Sequence, residues 1–300
     1  MNDISPLAGR APVETTLSDR TFARIAQIAQ KEAGIVLPPS KISMVRSRLT
    51  RRLRALTLGS FDAYLDYLMS GSDPSEMDNF ISALTTNVSH FFRENHHFDT
   101  LTHRILPAAQ QKLARGGKVR IWSAGCSNGQ EPYSIAMTLL NADPSLSGKN
   151  IKILATDIDP EVLRLARSGC YHGAMAQGLN EETMAAYFTR SGPADQTALT
   201  LNANVRRLVT FRHLNLHADW PMQGRFDVIF CRNVMIYFNE ETQIRLYRRF
   251  AQILEPEGWL LLGHSERVHE TVSPLFKPAG VTTYRTLAAR NQTPSGDRMS

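Results

Sequence analysis

The first third of the chain has apolar residues at the three- and four-residue spacing of amphipathic helices. Four successive helices are predicted, starting near Ser18, Ser40, Phe61 and Pro74. Asp73-Pro74-Ser75-Glu76 marks the last start, because Asp73 can cap a helix and Pro74 suits its first turn. Residues 18–84 are therefore expected to form a small helical domain. The preceding residues, 1–17, lack periodicity and are expected to be a disordered tail.

From Val119 onward the pattern changes to short apolar strands that alternate with helices. Strands are predicted at Val119–Trp122, Ile151–Ala155, Leu208–Phe211, Phe226–Phe230 and Trp259–Leu262. This alternation is typical of a parallel sheet covered by helices. Val281–Thr286 alternates polar and apolar residues and is predicted to close the sheet as an antiparallel edge. The fold class is therefore α/β, a Rossmann-like sheet preceded by an all-α domain.

Two segments interrupt this plan. Residues 170–208 are rich in turn residues and are expected to form a small insertion of antiparallel strands within the α/β domain, residues 96–289. Residues 85–95 link the two domains and are rich in side chains that bind ligands, so the linker is expected to contribute to a pocket. Residues 290–300 read as a polar tail.

Composition limits the class of protein without choosing its activity. The 300 residues include 42% hydrophobic residues and no apolar run long enough to cross a bilayer. Three scattered cysteines, Cys126, Cys170 and Cys231, argue against a disulfide or zinc framework and favour a reducing cytoplasm. We therefore expect a cytoplasmic protein with no bound metal.

The second predicted helix, Ser40 to about Leu56, carries a strongly basic face. It contains no acidic residue, and its candidate docking residues are Arg46, Arg48, Arg51, Arg52 and Arg54. A solvated face is the ordinary interpretation of such a run, but solvated helices usually mix charges because like charges repel. The pattern favours an acidic partner, and the formal net charge of +6 leaves nucleic acid, anionic lipid and acidic protein open.

The stretch Val119–Ser134 predicts a strand, a turn with Gly125 and Gly129, and the start of a helix. This arrangement suits a nucleotide-type ligand. The turn has two glycines where the dinucleotide fingerprint has three, and Glu131 in the first helical turn would oppose a pyrophosphate. A carboxylate there suits a cationic ligand such as S-adenosylmethionine (AdoMet), although a crossover without a ligand remains an alternative.

Polar residues follow three further predicted strands, namely Asp157, Asn215 and Asn233. Because ligands of open α/β sheets bind beyond the carboxyl ends of the strands, these residues are expected to lie together. Asp157 can accept hydrogen bonds from both ribose hydroxyls, while Asp159 is free to cap the next helix. The chain lacks the Gly-Lys-Ser/Thr motif of a P-loop, which argues against ATP.

These residues resemble the CheR family of chemotaxis receptor methyltransferases. The resemblance runs from about Phe22 to Tyr284 and is carried by Thr86-Asn87, Phe92-Arg93-Glu94, Glu131-Pro132-Tyr133-Ser134, Thr156-Asp157-Ile158-Asp159, Asn215-Leu216, Cys231-Arg232-Asn233-Val234-Met235-Ile236-Tyr237-Phe238 and Gly263-His264-Ser265-Glu266. It implies methyl transfer from AdoMet to glutamate γ-carboxylates on the cytoplasmic helices of membrane chemoreceptors. We also expect a monomer that neither binds nucleic acid nor inserts directly into the membrane.

The resemblance assigns roles to some of the matching positions. It places Arg93 and Tyr237 beside the transferred methyl group, and makes the helical domain the receptor-docking part. The implied cofactor-binding residues are Asn87, Ser89, Arg93, Glu131, Asp157, Asn215, Leu216, Arg232 and Asn233, and the turn after the first strand adds Gly125 to them. Two other classes of protein stay open. One is a nucleic-acid methyltransferase, because the basic helix suits phosphates equally well. The other is a non-catalytic AdoMet sensor or scaffold.

Overall fold

The computed structural model describes residues 16–193 and 197–287. The tail expected at residues 290–300, and all but two residues of the one expected at 1–17, lie outside this part. Leu17, which was assigned to the tail, is buried in the core of the N-terminal helices. Across the described residues, no helix combines the length and the apolar character needed to cross a membrane.

The N-terminal part is helical, as predicted. Its helices are α1 Asp19–Ala33, α2 Ile42–Ala55, α3 Phe61–Ser70 and α4 Pro74–Leu84, with a 3₁₀ turn at Pro39–Lys41 before α2. Gly34 ends α1 in the left-handed conformation, and the side chain of Asp73 accepts a hydrogen bond from the Ser75 N–H at the start of α4. These helices enclose an apolar core of their own.

Two arginines of the basic face of α2 have partners within the protein, which the sequence did not indicate. Arg52 forms a two-pronged ion pair with Glu76 of α4, which is fully buried and also accepts a hydrogen bond from the Tyr64 hydroxyl at 2.8 Å. Arg48 donates to the carbonyl oxygens of Ala83 and Thr85. Glu76, expected only to complement the start of α4, therefore neutralises Arg52.

A long helix leads from the linker to the sheet. It consists of α5 His96–Thr100, a π-helical turn at Leu101–Ile105 and α6 Leu106–Ala114. The linker before it is irregular, and Phe92 and Glu94 adopt positive φ values of 53° and 57°. This strained path turns the Glu94 carboxylate toward the sheet, where Arg232 lies.

The main sheet has seven strands in the order β6-β2-β1-β7-β8-β10-β9. Its parallel part contains β1 Val119–Ala124, β2 Ile151–Asp157, β6 Val209–His213, β7 Phe226–Cys231 and β8 Leu254–Leu262. The helices on it are α7 Gln130–Ala142, α8 Pro160–Ser168, α10 Ala203–Arg206 and α11 Glu240–Ile253. Ile121 and Trp122 belong to cores on opposite faces, so the sheet is covered on both sides.

The far edge of this sheet differs from the prediction. The strand expected at Val281–Thr286 is β10 Thr283–Thr286, which lies between β8 and a further antiparallel strand, β9 Phe276–Gly280. The edge strand is therefore β9. Its Pro278 and Gly280 are residues that strand patterns exclude but edge strands tolerate.

The insertion forms a separate three-stranded antiparallel sheet, as predicted. Its order is β3-β5-β4, with β3 Cys170–His172, β4 Phe188–Ser191 and β5 Ala198–Leu201, and α9 Glu181–Tyr187 precedes β4. Buried Tyr171 donates its hydroxyl to the Asn128 carbonyl oxygen at 2.8 Å, which attaches the insertion to the turn after β1.

Two adjacent arginines of α2 test the interpretation of its basic face. Arg52→Ala is expected to lower the free energy of unfolding by about 3 kcal/mol, because it leaves the buried Glu76 carboxylate without its counter-charge. Arg51→Ala, at an exposed position, is expected to change it by less than about 0.5 kcal/mol. Urea denaturation measures both, and equal effects would contradict a structural role for Arg52.

Candidate active site at the carboxyl ends of the central strands

One cavity lies where the strand order reverses, beyond the carboxyl ends of β1, β2 and β7. Every cofactor or catalytic candidate from the sequence lines it: Asn87, Ser89, Arg93, Gly125, Glu131, Asp157, Asn215, Leu216, Arg232, Asn233 and Tyr237. Ala33 and Ile35 line it as well, so the N-terminal helical part contributes a wall that the sequence analysis did not anticipate.

Two glycines shape the turn after β1. Gly125 and Gly129 have φ values of +82° and +89°. A Cβ atom on Gly125 would lie 2.4 Å from the Val234 side chain, and one on Gly129 would lie 2.8 Å from Ala166. Glycine is therefore required at both positions, which bring the backbone against the cavity and against α8.

Asp157 ends β2 at the floor of the cavity. One carboxylate oxygen accepts the Ser127 N–H at 2.8 Å, and the other accepts the Asp159 N–H at 3.0 Å. Burial raises the pKa of Asp157 to about 6, although these backbone N–H groups favour the ionised form. The carboxylate is held in one orientation, and each oxygen keeps a lone pair for a ligand.

Three charged side chains form a network at the other end of the cavity. Arg232, which is almost fully buried, donates to Glu131 at 3.0 Å and lies 3.3 Å from Glu94. Burial raises the pKa of Glu131, while for Glu94 the cost of burial is outweighed by Arg232 and by hydrogen bonds from His264, which lower its pKa to about 2. Glu131, expected from the sequence to be an unpaired carboxylate, is therefore paired with Arg232.

The charge of this network suits a cationic ligand. When both carboxylates are ionised, two negative charges surround one guanidinium, leaving one net negative charge beside the cavity. Ser123 donates a further hydrogen bond to Glu131 at 2.7 Å and fixes its orientation. An ammonium or sulfonium group is favoured there over a phosphate.

Arg93 and Tyr237 line the cavity and are partly exposed, so they mark its entrance. The Arg93 guanidinium donates to the Val88 carbonyl oxygen at 3.1 Å, and the Tyr237 hydroxyl donates to the Thr86 carbonyl oxygen at 3.2 Å. Burial raises the pKa of Tyr237, so its hydroxyl stays protonated at neutral pH. Both side chains are thus held by the linker that crosses the strand ends.

Comparison with known families decides what this cavity is. Residues 87–285 match the family described as CheR methyltransferase, SAM binding domain, and residues 20–85 match its all-alpha domain. The chain belongs to the CheR methyltransferase family. It is an AdoMet-dependent methyltransferase, and the Asp157 carboxylate and the net negative network fit the ribose and the cationic groups of that cofactor.

Curated proteins of the same family are similar along most of the chain. The probable chemotaxis protein methyltransferase of Rhizobium etli is 44% identical over 85% of this chain and 95% of its own. The chemotaxis protein methyltransferase of Escherichia coli is 44% identical over 89% and 91%, respectively. Chemotaxis protein methyltransferase 2 of Pseudomonas aeruginosa is 42% identical over 93% and 97%.

Glu266 supports the CheR loop that carries Asn233 and Tyr237. It is buried, and its two carboxylate oxygens accept the N–H groups of Asn233 at 3.0 Å, Met235 at 2.8 Å and Gly263 at 2.6 Å. The segment Gly263-His264-Ser265-Glu266 was part of the resemblance but had no predicted role. The local signal was a carboxylate four residues after the buried strand β8.

Asn215 has a different setting from the one expected. Its amide nitrogen donates to the Glu32 carbonyl oxygen at 2.7 Å, and its amide oxygen accepts the His217 N–H at 2.9 Å. The side chain therefore ties the end of α1 to the sheet, while the Asn215–Leu216 segment lines the cavity. A bound base would meet this segment more through its backbone and through Leu216 than through the Asn215 amide.

Among the described residues, Glu94, His96 and His97 are the one group whose ligand atoms lie close enough, within 4.8 Å, to hold a metal ion. Arg232 already supplies a positive charge 3.3 Å from the Glu94 carboxylate. Burial lowers the pKa of His97 to about 3, so its imidazole is neutral, and its Nε2 lies 3.0 Å from the Thr282 hydroxyl. The arrangement is consistent with a neutral, packed histidine.

The pKa of Asp157 predicts how cofactor affinity depends on pH. Ionised Asp157 can accept hydrogen bonds from ribose hydroxyls, whereas protonation removes acceptor capacity. Protonation through a pKa of about 6 is expected to weaken AdoMet binding about tenfold between pH 8 and pH 5. Calorimetric titration measures this change, and a dependence that persists unchanged in Asp157→Asn would assign it to another group.

Proposed function

We propose that this protein transfers methyl groups from AdoMet to glutamate γ-carboxylates of chemoreceptors, forming glutamyl methyl esters. The observation that carries the proposal is the convergence of all eleven candidate residues on one cavity in a CheR chain. The relatives from three bacteria, all named as chemotaxis protein methyltransferases, support the substrate class.

The chemistry needs positioning more than proton transfer. A glutamate with a pKa of about 4.3 is almost wholly ionised at neutral pH, so it is a nucleophile without a general base. AdoMet supplies an electrophilic methyl group on a sulfonium. At 4 Å the attraction between two opposite unit charges is about 4 kcal/mol at an effective dielectric constant of 20. Alignment of the carboxylate within the cavity then provides much of the rate enhancement.

The two ends of the cavity bind different parts of AdoMet. Asp157 accepts from the ribose hydroxyls, and the Asn215–Leu216 segment contacts the adenine. At the other end, the Glu131–Arg232–Glu94 network favours the ammonium and sulfonium groups. Asn87 fixes the linker above the cavity, because its amide donates to Asp159 at 2.7 Å and its carbonyl oxygen accepts the Ser127 hydroxyl at 3.2 Å.

Arg93 and Tyr237 receive the incoming carboxylate. Arg93 has further N–H donors besides the one used by Val88, and one of them can hold a carboxylate oxygen while the other oxygen attacks. The Tyr237 proton is committed to the Thr86 carbonyl oxygen. Of the two roles open to this tyrosine, hydrogen-bond donor or wall, the structure therefore favours the wall.

Arg93→Ala is expected to lower kcat about 100-fold and to change AdoMet affinity less than about threefold, since its unused donors address the substrate and not the cofactor. Rapid-mixing kinetics of methyl transfer and calorimetry of AdoMet binding give the two quantities. An equal loss in both would place Arg93 in cofactor binding alone.

The basic face of α2 is the proposed receptor-docking surface, with its membership revised by the structure. Arg46, Arg51 and Arg54 are exposed, whereas Arg48 and Arg52 are engaged within the protein. A groove between α2 and α4 is lined by three basic residues, Arg48, Arg51 and Arg52, and by one acidic residue, Glu161 of α8. An acidic helix would gain charge complementarity there at little desolvation cost.

Reversal of the three exposed arginines, Arg46→Glu, Arg51→Glu and Arg54→Glu together, is expected to raise the KM for a receptor fragment at least tenfold at low salt. The effect should shrink as salt rises, because exposed charges are screened. AdoMet affinity should be unchanged, since none of the three lines the cavity.

A matched control makes the same charge change at the amino ends of β1 and β2, on the opposite edge of the sheet. Arg115, Lys118 and Lys149 are exposed there, and their reversal to Glu should leave the receptor KM unchanged. An equal rise in KM for both triple variants would show a general charge effect and no docking surface on α2.

The proposal includes the organisation and location of the protein. Residues 18–84 form the docking domain, residues 85–95 the linker and residues 96–289 the catalytic domain, a division supported by the two family matches. The protein acts as a monomer in the cytoplasm, where chemoreceptors expose their signalling helices. The three cysteines, which are unpaired in the structure, agree with a reducing compartment.

The direct test uses AdoMet with a labelled methyl group and a cytoplasmic receptor fragment. The expected result is protein-bound label that alkali releases as methanol, as an ester requires. Label that resists alkali, or that appears in added RNA or DNA, would support a different acceptor. Cofactor binding without transfer to any receptor fragment would support a sensor or scaffold.

A further inference from the structure

Exposed apolar side chains are concentrated around Tyr237. Val36, Val88 and Ile236 are 41%, 74% and 56% exposed, and they are three of the seven large apolar residues that stand out from the described surface. Exposed apolar residues that cluster beside a functional site commonly mark a contact surface. We call these three residues the apolar collar.

Backbone contacts place the collar at the cavity entrance. The Val36 N–H donates to the Tyr237 carbonyl oxygen at 2.9 Å, and Ile236 precedes Tyr237 in the chain. Val88 lines the cavity and follows Thr86, whose carbonyl oxygen accepts the Tyr237 hydroxyl. Three separate segments of the chain, the one after α1, the linker and the loop after β7, thus each present one apolar side chain near this tyrosine.

The collar is continuous with the basic face of α2. Arg48, on α2, donates to the Thr85 carbonyl oxygen and to the Thr86 hydroxyl, the latter at 3.0 Å. Arg51, which lines a groove together with Arg48, therefore lies on the surface that leads from α2 toward the linker. An acidic helix bound along α2 would therefore extend to the collar.

We propose that the apolar collar of Val36, Val88 and Ile236 packs against apolar side chains beside the target glutamate on a receptor helix. The inference rests on the proposed function and adds the surface that selects the site. On a helix, residues three and four positions from a glutamate lie on the same face, about 5–6 Å away. With the glutamate inserted past Tyr237, those neighbours meet the collar.

Such packing gives a physical basis for choosing among glutamates. The arginines of α2 attract any acidic helix, because charge attraction is long-ranged and weakly directional. The collar requires apolar or small neighbours at defined spacing, and a glutamate flanked by charged residues would bury them unpaired against it. Attraction and selection are then carried by different side chains.

The test compares two pairs of serine substitutions. Val36→Ser with Ile236→Ser removes two of the three collar side chains, and neither of these residues lines the cavity. Met69→Ser with Val281→Ser is the matched control, because these residues are 55% and 69% exposed and neither lines the cavity. Direct binding of a cytoplasmic receptor fragment is measured by calorimetry, in parallel with methyl-transfer kinetics and AdoMet affinity.

The collar pair is expected to bind the fragment about tenfold more weakly, equivalent to about 1.4 kcal/mol, with AdoMet affinity and the melting temperature unchanged. The loss should persist at high salt, unlike that of the arginine variants. Unchanged fragment binding, an equal loss in the control pair, or a loss of AdoMet affinity would each overturn the proposal.

A failure of the proposed function would look different. If the unmodified protein binds the fragment but transfers no methyl group, the proposed reaction is wrong while the collar is still tested by binding. If the unmodified protein shows no affinity for the fragment and self-associates through the collar, as sedimentation would reveal, the receptor helix is the wrong occupant and the inference is overturned.

Discussion

The ion network of Arg232 with Glu94 and Glu131 is the interaction on which the site depends. It joins the linker, the first turn of α7 and the loop after β7 through one buried guanidinium. A charge buried this deeply is stable only if its partners are in place, so removal of either carboxylate would cost more than a surface ion pair. When both carboxylates are ionised, the network also has one net negative charge beside the cavity, which suits a cationic cofactor.

Hydrogen bonds to backbone groups also hold the linker and the loop after β7 in place. Arg232 also donates to the Arg93 carbonyl oxygen, and Glu266 ties the loop after β7 to the end of β8 by accepting two N–H groups of that loop and the Gly263 N–H. Because the linker crosses the strand ends, its irregular path becomes part of the site. The strain at its positive φ residues is offset by these contacts.

The N-terminal helices take part in the same site. The end of α1 accepts a hydrogen bond from Asn215, and the segment after it pairs with the loop that carries Tyr237. The proposed docking surface on α2 contacts the linker above the cavity through Arg48. This proximity agrees with the proposal that a receptor helix binds α2 while one of its glutamates enters the cavity.

Local signals in the sequence predicted most elements. The end of α1 at Gly34 and the start of α4 at Asp73 are determined by these capping residues themselves, which can be recognised in the sequence. The five parallel strands are apolar runs between turns. The edge strand β9 was missed because Pro278 and Gly280 do not follow a strand pattern. The pattern also indicated four polar strand ends, and the resemblance supplied the other site residues.

The contacts between distant residues could not be predicted. Arg52 and Glu76 are 24 positions apart, and Asn215 and Glu32 are 183 apart, so neither pair leaves a periodic trace in the sequence. From the sequence, Arg52, Glu131 and Asn215 were therefore expected to be available for a partner or ligand, although each has a partner within the protein. The role of such a side chain depends on the distant residue that packs beside it, and only the three-dimensional structure determines which residue that is.

The most direct measurement is a crystal structure of the protein with S-adenosylhomocysteine. The account predicts the ribose hydroxyls at Asp157, the adenine against Leu216, and the sulfur directed toward the entrance at Tyr237. An empty cavity at saturating ligand, or a ligand held elsewhere with the Glu131–Arg232 pair facing solvent, would contradict it.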